Sequence, residues 1–248
     1  MEEKRMADIQ KVIIKLRELK MPGMAEHLEQ LYSSDEFSRM SSLEVIDELI
    51  EQEGISRKNH TVERRLKQAL LTDPSARMEN IDYKAERNIN KALLDQLKTN
   101  DYIQAGRNIL ILGATGCGKT FLANALAVRA CEDTYRVRYF RMIELLSNLS
   151  LARVEGNIRK LYRQYGTADL LIIDDFLLTD TTANEQKDLM EIFEYRGRGR
   201  STVLCSQLSP EEWHSKLGAS HIADAILDRI TNNSYTIELK GDSLRRMQ

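Results

Sequence analysis

The stretch GATGCGKT, which occupies residues Gly113–Thr120, decides the fold. It fits the pattern G-x-x-x-x-G-K-[ST] at every fixed position. The apolar run NILIL, which begins at Asn108, precedes the stretch and is typical of a buried strand. The sequence FLANALAVRACE, which begins at Phe121, follows it and is typical of a helix. Strand, glycine-rich loop and helix together predict a site for the phosphates of a nucleoside triphosphate.

Each residue type in the loop has a chemical reason. Glycines let the chain fold back so that successive backbone N–H groups point at phosphate oxygens, and the helix start adds the positive end of its dipole. Lys119 is expected to reach the β- and γ-phosphates, and the Thr120 hydroxyl is expected to bind Mg²⁺. The predicted nucleotide contacts are the loop and the residue after it, namely Gly113, Ala114, Thr115, Gly116, Cys117, Gly118, Lys119, Thr120 and Phe121.

A second nucleotide motif is LLIIDDF, residues Leu170–Phe176. Asp174, at the carboxyl end of the apolar strand, is predicted to hold Mg²⁺ directly or through water, and Asp175 to orient or activate the attacking water. Two adjacent carboxylates after an apolar run could instead be a solvated strand end. Because Asp175 is one methylene shorter than glutamate, hydrolysis would depend closely on its position, and slow turnover is expected.

Three further catalytic candidates lie nearer the carboxyl terminus. Ser206 or Gln207, at the end of the strand-like TVLCSQ, could contact the γ-phosphate or the attacking water, although a polar loop start is the alternative. Arg229, in AILDRI, and Arg245 or Arg246, in GDSLRR, could neutralise the γ-phosphate, and such an arginine can come from another subunit. Lone arginines on helices are more often solvated or ion-paired.

From Asn108 onward, strand and helix patterns alternate. RVRYF, DLLIIDDF, STVLCSQ and SYTIEL have the spacing and apolar content of strands, and the segments between them have helical spacing. The long segment MIELLSNLSLARVEGNIRKLYRQYG is expected to form one or two helices. Such alternation predicts the α/β class, with a parallel sheet covered by helices on both faces.

The amino-terminal part has helical spacing of its apolar residues. MPG, at Met21–Gly23, breaks the first helix. Ser41 or Ser42, followed by Glu44, offers the next helix start, and that helix is expected to end near Gly54. A separate basic helix, SRKNHTVERRLKQALL, is then expected.

Helical spacing extends over residues 7–98, with a connector, TDPSARMEN, around Pro74. The sequence therefore predicts a small all-α domain over residues 1–75 and an α/β domain over residues 76–248. The helical domain is expected to serve oligomerisation or to contact DNA or a partner.

Composition excludes several classes of protein. The 248 residues are 42% hydrophobic and 30% charged, with a net charge of −2, so nucleic-acid binding would need a local basic surface. Three widely spaced cysteines argue against a disulfide framework and favour a reducing, cytoplasmic location. The four histidines form no zinc-binding pattern. No segment approaches the roughly 18 apolar residues of a membrane span.

Three basic stretches are candidates for DNA contact: SRKNHTVERRLK, RVEGNIRKLYRQ and YRGRGR, the last of which ends at Arg200. Lysine and arginine bind phosphates with little dependence on base sequence. Each stretch could instead be a solvated helix face, and YRGRGR could be a turn at a subunit contact. The candidate DNA contacts are Arg57, Lys58, Arg64, Arg65, Arg153, Arg159 and Lys160.

Over nearly its whole length, the chain resembles the IstB-like ATP-binding family, the helper ATPases of transposition encoded beside the transposase in some bacterial insertion sequences. That family is related to the DnaC helicase loaders. The motifs that carry the resemblance are LKMPGMAEHLEQL, GATGCGKTFLANALA, LLIIDDF, STVLCSQLSPEEWH, ILDRI and GDSLRR. The phosphate loop alone is generic to many NTPases, whereas this ordered combination is much more specific.

The resemblance implies an AAA+ P-loop core without a large carboxyl-terminal lid, with ATP and Mg²⁺ as ligands. It implies that Arg229 is an arginine finger and Arg245 a second sensor. It also implies ATP-dependent rings or helical oligomers on double-stranded DNA, largely independent of sequence, and recruitment of a transposase. A helicase loader, or a DNA-binding scaffold gated by nucleotide with incidental hydrolysis, remains an alternative.

Three positions depart from the family's usual pattern. Cys117 stands where threonine is frequent in the loop, and Leu244 stands where tyrosine commonly precedes the arginine. Cys117 is expected to be tolerated because the backbone forms the cradle there. Gln207 stands where many AAA+ proteins have a sensor asparagine, which puts the role of Gln207 itself in question.

Overall fold

The computed structural model describes residues 2–34, 37, 39–83, 88–197 and 199–240, with residues 2–5 described by their backbone alone. The chain divides into two compact units, Met1–Arg64 and Arg65–Gln248. The predicted boundary after residue 75 lies further along the chain and stays a prediction.

The first unit is built from three helices, α1 (Glu2–Glu18), α2 (Pro22–Ser33) and the first part of α3 (Ser42–Ala69). MPG separates α1 from α2 as predicted, and Pro22 takes the first helical position, where its missing N–H costs no hydrogen bond. Ser41 and Glu44 form a reciprocal capping box: the Ser41 N–H donates to the Glu44 carboxylate at 2.7 Å, and the Glu44 N–H donates to the Ser41 hydroxyl at 3.3 Å.

A close contact joins the start of α2 to α3. A Cβ atom at Gly23 would lie 2.7 Å from the Gln52 carbonyl oxygen, so only glycine allows this approach. The buried Glu53 carboxylate accepts the Met24 N–H at 3.2 Å and the Arg57 Nε–H at 2.7 Å. Burial raises the pKa of Glu53, but these hydrogen bonds outweigh it and hold the pKa below its ordinary value.

The prediction that a helix ends near Gly54 is wrong. Helix α3 continues without interruption through Gly54 to Ala69, and the basic segment forms its second half. One interior glycine costs a helix only about 1 kcal/mol relative to alanine. The contacts of Glu53 with Met24 and Arg57, immediately beside Gly54, favour the helical backbone on both sides of it.

The second unit contains the rest of the chain. A 3₁₀ turn (Met78–Asn80) and two short helices, α4 (Lys91–Leu97) and α5 (Asp101–Gln104), lead into the α/β part. Its strands are β1 (Asn108–Gly113), β2 (Val137–Arg141), β3 (Leu170–Asp174), β4 (Ser201–Ser206) and β5 (Ser234–Leu239). Its helices are α6 (Lys119–Glu132), α7 (Met142–Val154), α8 (Ile158–Gly166), α9 (Ala183–Arg196), α10 (Pro210–Lys216) and α11 (His221–Thr231).

The five strands form one parallel sheet in the order β2-β3-β4-β1-β5, which confirms the predicted class. Alternate residues of β1 face opposite sides, so Ile109 and Ile111 join one apolar cluster while Leu110 and Leu112 join the other. Helix α6 contributes to the first cluster, and α7, α9 and α11 to the second. Within the described residues no helix follows β5, and none of the helices is long and apolar enough to cross a membrane.

Two glycine substitutions in the first unit are expected to have opposite effects on stability. Gly54→Ala places a Cβ atom in open space on a helix interior, which raises the free energy of unfolding by about 0.5–1 kcal/mol. Gly23→Ala places a Cβ atom against the backbone of α3 and lowers the free energy of unfolding by about 1–3 kcal/mol. Urea unfolding of both variants checks this, and a helix end at Gly54 would instead make Gly54→Ala neutral or destabilising.

Candidate nucleotide-binding site

The glycine-rich loop joins the carboxyl end of β1 to the amino end of α6. Gly116 and Gly118 have φ angles of 84° and 100°, which L-residues with side chains rarely adopt. At Gly113 the φ angle is 150°, and a Cβ atom would lie 2.4 Å from the Leu239 carbonyl oxygen of β5. The three glycines of the motif therefore serve loop shape and close packing against β5.

Lys119 turns back over the loop. Its ammonium Nζ donates to the carbonyl oxygens of Gly113 at 2.7 Å and of Ala114 at 2.8 Å, and the residue is only 7% exposed. The positive charge thus lies inside the curve of the loop, where the backbone N–H groups and the start of α6 also favour an anion.

Asp174 is the most constrained carboxylate of the site. It is 3% exposed, and its Oδ2 atom accepts hydrogen bonds from the Thr120 hydroxyl at 2.7 Å and from the Tyr139 hydroxyl at 2.7 Å. Its Oδ1 atom accepts the Asp175 N–H at 2.9 Å. The structure therefore brings together Thr120 and Asp174, the two residues predicted to hold the metal. Hydroxyl and carboxylate oxygens are the hard ligands that Mg²⁺ prefers, so this pair fits the ion.

Asp175 follows in a left-handed backbone conformation, with a φ angle of 55°. Its Oδ2 atom accepts hydrogen bonds from Arg141, at 3.2 Å from Nε and 2.9 Å from Nη2. Arg141 is the last residue of β2, and sequence reasoning missed it. Its position at the carboxyl end of a parallel strand was the available signal, since these ends meet at the edge where ligands bind.

Of the two sensor candidates, Gln207 reaches the nucleotide loop and Ser206 does not. The Gln207 Oε1 atom accepts the Thr115 hydroxyl at 2.8 Å. Ser206 is fully buried; its hydroxyl donates to the Phe176 carbonyl at 2.8 Å and accepts the Trp213 indole N–H at 3.0 Å. Ser206 therefore has a packing role, and Gln207 lines the cleft.

One cleft of about 620 Å³ lies at the carboxyl edge of the sheet. The cleft contains most of the predicted nucleotide contacts, both aspartates and Gln207, together with residues that sequence reasoning did not single out. Its lining comprises Thr72, Asp73, Thr115, Gly116, Gly118, Lys119, Thr120, Phe121, Asn124, Tyr139, Arg141, Asp174, Asp175, Leu178 and Gln207.

Arg229 lies far from this cleft. The Asn108 side-chain amide donates to the backbone carbonyl of Arg229 at 3.1 Å, and Asn108 begins the strand whose other end carries the loop. Strand β1 is six residues long, so its first residue, Asn108, lies roughly 16 Å from its last residue, Gly113. The Arg229 guanidinium is ion-paired with Glu194 of α9. Arg245 and Arg246 lie outside the described residues.

The candidate DNA contacts on α3 have different surroundings. Arg57 is ion-paired with Glu53 at 2.7 Å, and Lys58 and Arg64 are exposed. Arg65 is partly buried, and its Nε–H donates to the Thr134 carbonyl at 2.9 Å. Arg65 therefore has a packing contact in the α/β unit.

The second basic stretch forms the end of α7 and α8, separated at Gly156, whose φ angle is 74°. Arg153 is ion-paired with the buried Asp188, which also accepts the Tyr162 hydroxyl at 2.5 Å. Arg159 and Lys160, on the first turn of α8, are exposed.

In the third basic stretch, YRGRGR, the two arginines that the structure describes, Arg196 and Arg200, both bind other parts of the protein. Arg196 is buried and donates to the carbonyl oxygens of Tyr165 at 2.9 Å and Ala168 at 3.0 Å; burial lowers its pKa to about 9. Arg200 is ion-paired with Asp169 at 3.0 Å.

Two solved structures show a similar fold, one of DnaA and one of the DnaC helicase loader. The match to AMPPCP-bound DnaA from Aquifex aeolicus covers 70% of this chain and 53% of the DnaA chain. Its TM-score is 0.57, and the sequence identity is 22%. The match to the DnaC helicase loader covers 66% of this chain and 97% of the DnaC chain. Its TM-score is 0.53, and the sequence identity is 18%. At these identities the likeness establishes the fold alone: a parallel sheet flanked by helices, with the phosphate loop between β1 and α6.

Sequence comparison then gives the family. The model of the IstB-like ATP-binding proteins matches residues 14–248, so the chain belongs to that family. An insertion-sequence ATP-binding protein of Sinorhizobium fredii, y4pL, is 40% identical over 234 residues, which are 94% of this chain and 95% of the relative. The insertion sequence IS21 ATP-binding protein of Pseudomonas aeruginosa is 28% identical over 230 residues, which are 93% of this chain and 86% of the relative.

Substitutions at the end of β4 separate packing from ligand contact. Ser206→Ala leaves the buried Phe176 carbonyl and the Trp213 N–H without their partner, so the free energy of unfolding should fall by about 1–3 kcal/mol. Gln207→Ala, on the exposed side of the loop, should stay within about 0.5 kcal/mol of the parent. Denaturant unfolding measures both, and equal effects of the two variants would contradict these roles.

Proposed function

We propose that this protein is a DNA-dependent ATPase that assembles on duplex DNA in its ATP-bound form and delivers that DNA to a partner transposase. The observation that carries the proposal is the distance, within one chain, between the cleft that contains Lys119, Thr120 and Asp174 and the residue Arg229, which we propose completes the site of a neighbouring subunit. The family of insertion-sequence ATP-binding proteins supports the transposition setting.

ATP hydrolysis follows from the chemistry of the cleft. Lys119 and the backbone N–H groups of the loop bind the β- and γ-phosphates. Thr120 and Asp174 would hold Mg²⁺, which when bound neutralises charge on the phosphate oxygens as the bond breaks. Asp175 orients the attacking water and takes the proton of that water. The Asp175 carboxylate is ion-paired with Arg141, and it can act on the water once Arg141 releases it. The Gln207 side chain accepts the Thr115 hydroxyl, which supports a role for Gln207 in sensing the γ-phosphate.

Assembly follows from the position of Arg229. Its backbone is held at the amino edge of the sheet by Asn108, so its side chain cannot reach the phosphate loop of the same subunit. In an oligomer, Arg229 would instead enter a neighbour's cleft and stabilise the charge that develops during phosphoryl transfer. Its present partner, Glu194, is exposed and can release it.

DNA contact is proposed for the first turn of α8. Arg159 and Lys160 are exposed there, next to the amino end of the helix, where the dipole also favours phosphate. Arg153 contributes less, because Asp188 already neutralises it. Lys58 and Arg64 of α3 form a second exposed basic pair.

Mixing two inactive variants tests whether the active site is shared. Asp175→Asn lacks the group that activates water, and Arg229→Ala lacks the arginine, so each alone should lose DNA-stimulated hydrolysis. In an equimolar mixture, some sites combine an intact cleft with an intact arginine from the neighbour, and hydrolysis should return to about a quarter of the parent rate. A mixture as inactive as its components would mean that Arg229 does not act between subunits.

Binding to duplex DNA across a salt series tests the α8 surface. Changing Arg159 and Lys160 to Gln should reduce the slope of log affinity against log salt by about 2. The charge-matched control changes Lys91 and Lys98, at the two ends of α4, to Gln and should leave the slope unchanged. Equal slopes for the two variants would exclude α8 as the DNA surface. Recovery of a replicative helicase instead of a transposase in a pull-down would replace the proposed partner.

A further inference from the structure

The hydrogen bonds behind Asp174 lead away from the nucleotide cradle to the segment that follows α3. The Tyr139 hydroxyl, 2% exposed in the middle of β2, donates to the Asp174 carboxylate at 2.7 Å. The Thr72 side chain lies beside that same tyrosine in the lining of the cleft. Thr72 comes three residues after the end of α3 at Ala69.

Asn124 closes this network from the side of α6. It is fully buried one turn after Thr120, and its side-chain nitrogen donates to the Thr72 hydroxyl at 2.9 Å and to the Thr120 carbonyl at 2.8 Å. Its side-chain oxygen accepts the Asp73 N–H at 3.1 Å. A buried asparagine in an otherwise apolar helix face is costly unless its amide is satisfied, and here both of its polar atoms have partners.

Two hydrogen bonds and one contact connect these groups. Asn124 donates to Thr72, Thr72 lies beside Tyr139, and Tyr139 donates to Asp174. Hydrogen bonds in such a network polarise one another, and the network fixes the direction in which the carboxylate points.

We propose that Tyr139, Thr72 and Asn124 are positioning residues for the metal ligand Asp174, and that they make metal affinity depend on the segment Thr72–Asp73. This inference rests on the proposed metal site of Thr120 and Asp174. If Thr120 were to turn its hydroxyl from Asp174 toward a metal ion, the Tyr139 hydroxyl would still donate to the Asp174 carboxylate. The network would therefore keep Asp174 oriented while the ion is bound.

The test measures binding rather than hydrolysis. The affinity of a fluorescent, non-hydrolysable ATP analogue is determined with Mg²⁺ and with EDTA, and the ratio of the two affinities gives the contribution of the metal. Tyr139→Phe should reduce this ratio about tenfold, the usual cost of losing a partner of a metal ligand, and leave the affinity in EDTA unchanged. Thr72→Val should reduce the ratio in the same direction, and Thr72→Ser, which keeps the hydroxyl, should retain it.

Two controls separate this inference from the proposed metal site. Tyr135→Phe removes a tyrosine hydroxyl next to β2 that is bonded to Gln104 at 3.1 Å, and it should leave the ratio unchanged. Asp174→Asn should remove the Mg²⁺ contribution altogether. If Asp174→Asn has no effect, the metal site itself is wrong. If Asp174→Asn acts as expected while Tyr139→Phe and Thr72→Val match the parent, the positioning network is overturned and the metal site stands.

Discussion

The buried carboxylate of Asp174 is the point on which the geometry of the nucleotide cleft depends. A carboxylate that is only 3% exposed must be satisfied by nearby donors, and these come from three separate elements. Thr120 donates from the start of α6, Tyr139 donates from β2, and the Asp175 N–H donates from the turn after β3. One buried carboxylate therefore fixes the phosphate loop, the proposed metal ligands and the proposed water-activating residue relative to one another.

The strand order explains how the remaining parts of the site are placed. Because β4 lies between β1 and β3, the residue after β4 falls between the phosphate loop and Asp174, and Gln207 there contacts Thr115. The same parallel arrangement sends the end of α11 to the opposite edge of the sheet, where Asn108 holds Arg229. A single chain thus separates Arg229 from the nucleotide cleft, and the proposed assembly would bring an Arg229 from one subunit to the cleft of another.

The near-neutral charge of the chain is compatible with a small basic surface. Arg153, Arg196 and Arg200 are bound to Asp188, to backbone carbonyls and to Asp169, so much of the positive charge in the basic stretches serves packing. The exposed Arg159 and Lys160 differ from these because they project from the first turn of a helix. Local exposure, rather than the number of basic residues in a stretch, decides which of them can bind a phosphate backbone.

The sequence by itself determined the strands, because these depend on local apolar spacing. It also determined the phosphate loop and the pairing of Thr120 with Asp174, because both depend on a motif of specific residue types at fixed positions. It misjudged Gly54, since contacts from another helix outweigh the small cost of one glycine within α3. The roles of Tyr139 and Asn124 could not be predicted from spacing, because each takes its meaning from a partner distant in the chain. Only the tertiary structure decided those contacts, for a buried polar group is defined by the neighbours that satisfy it, and packing brings these neighbours together.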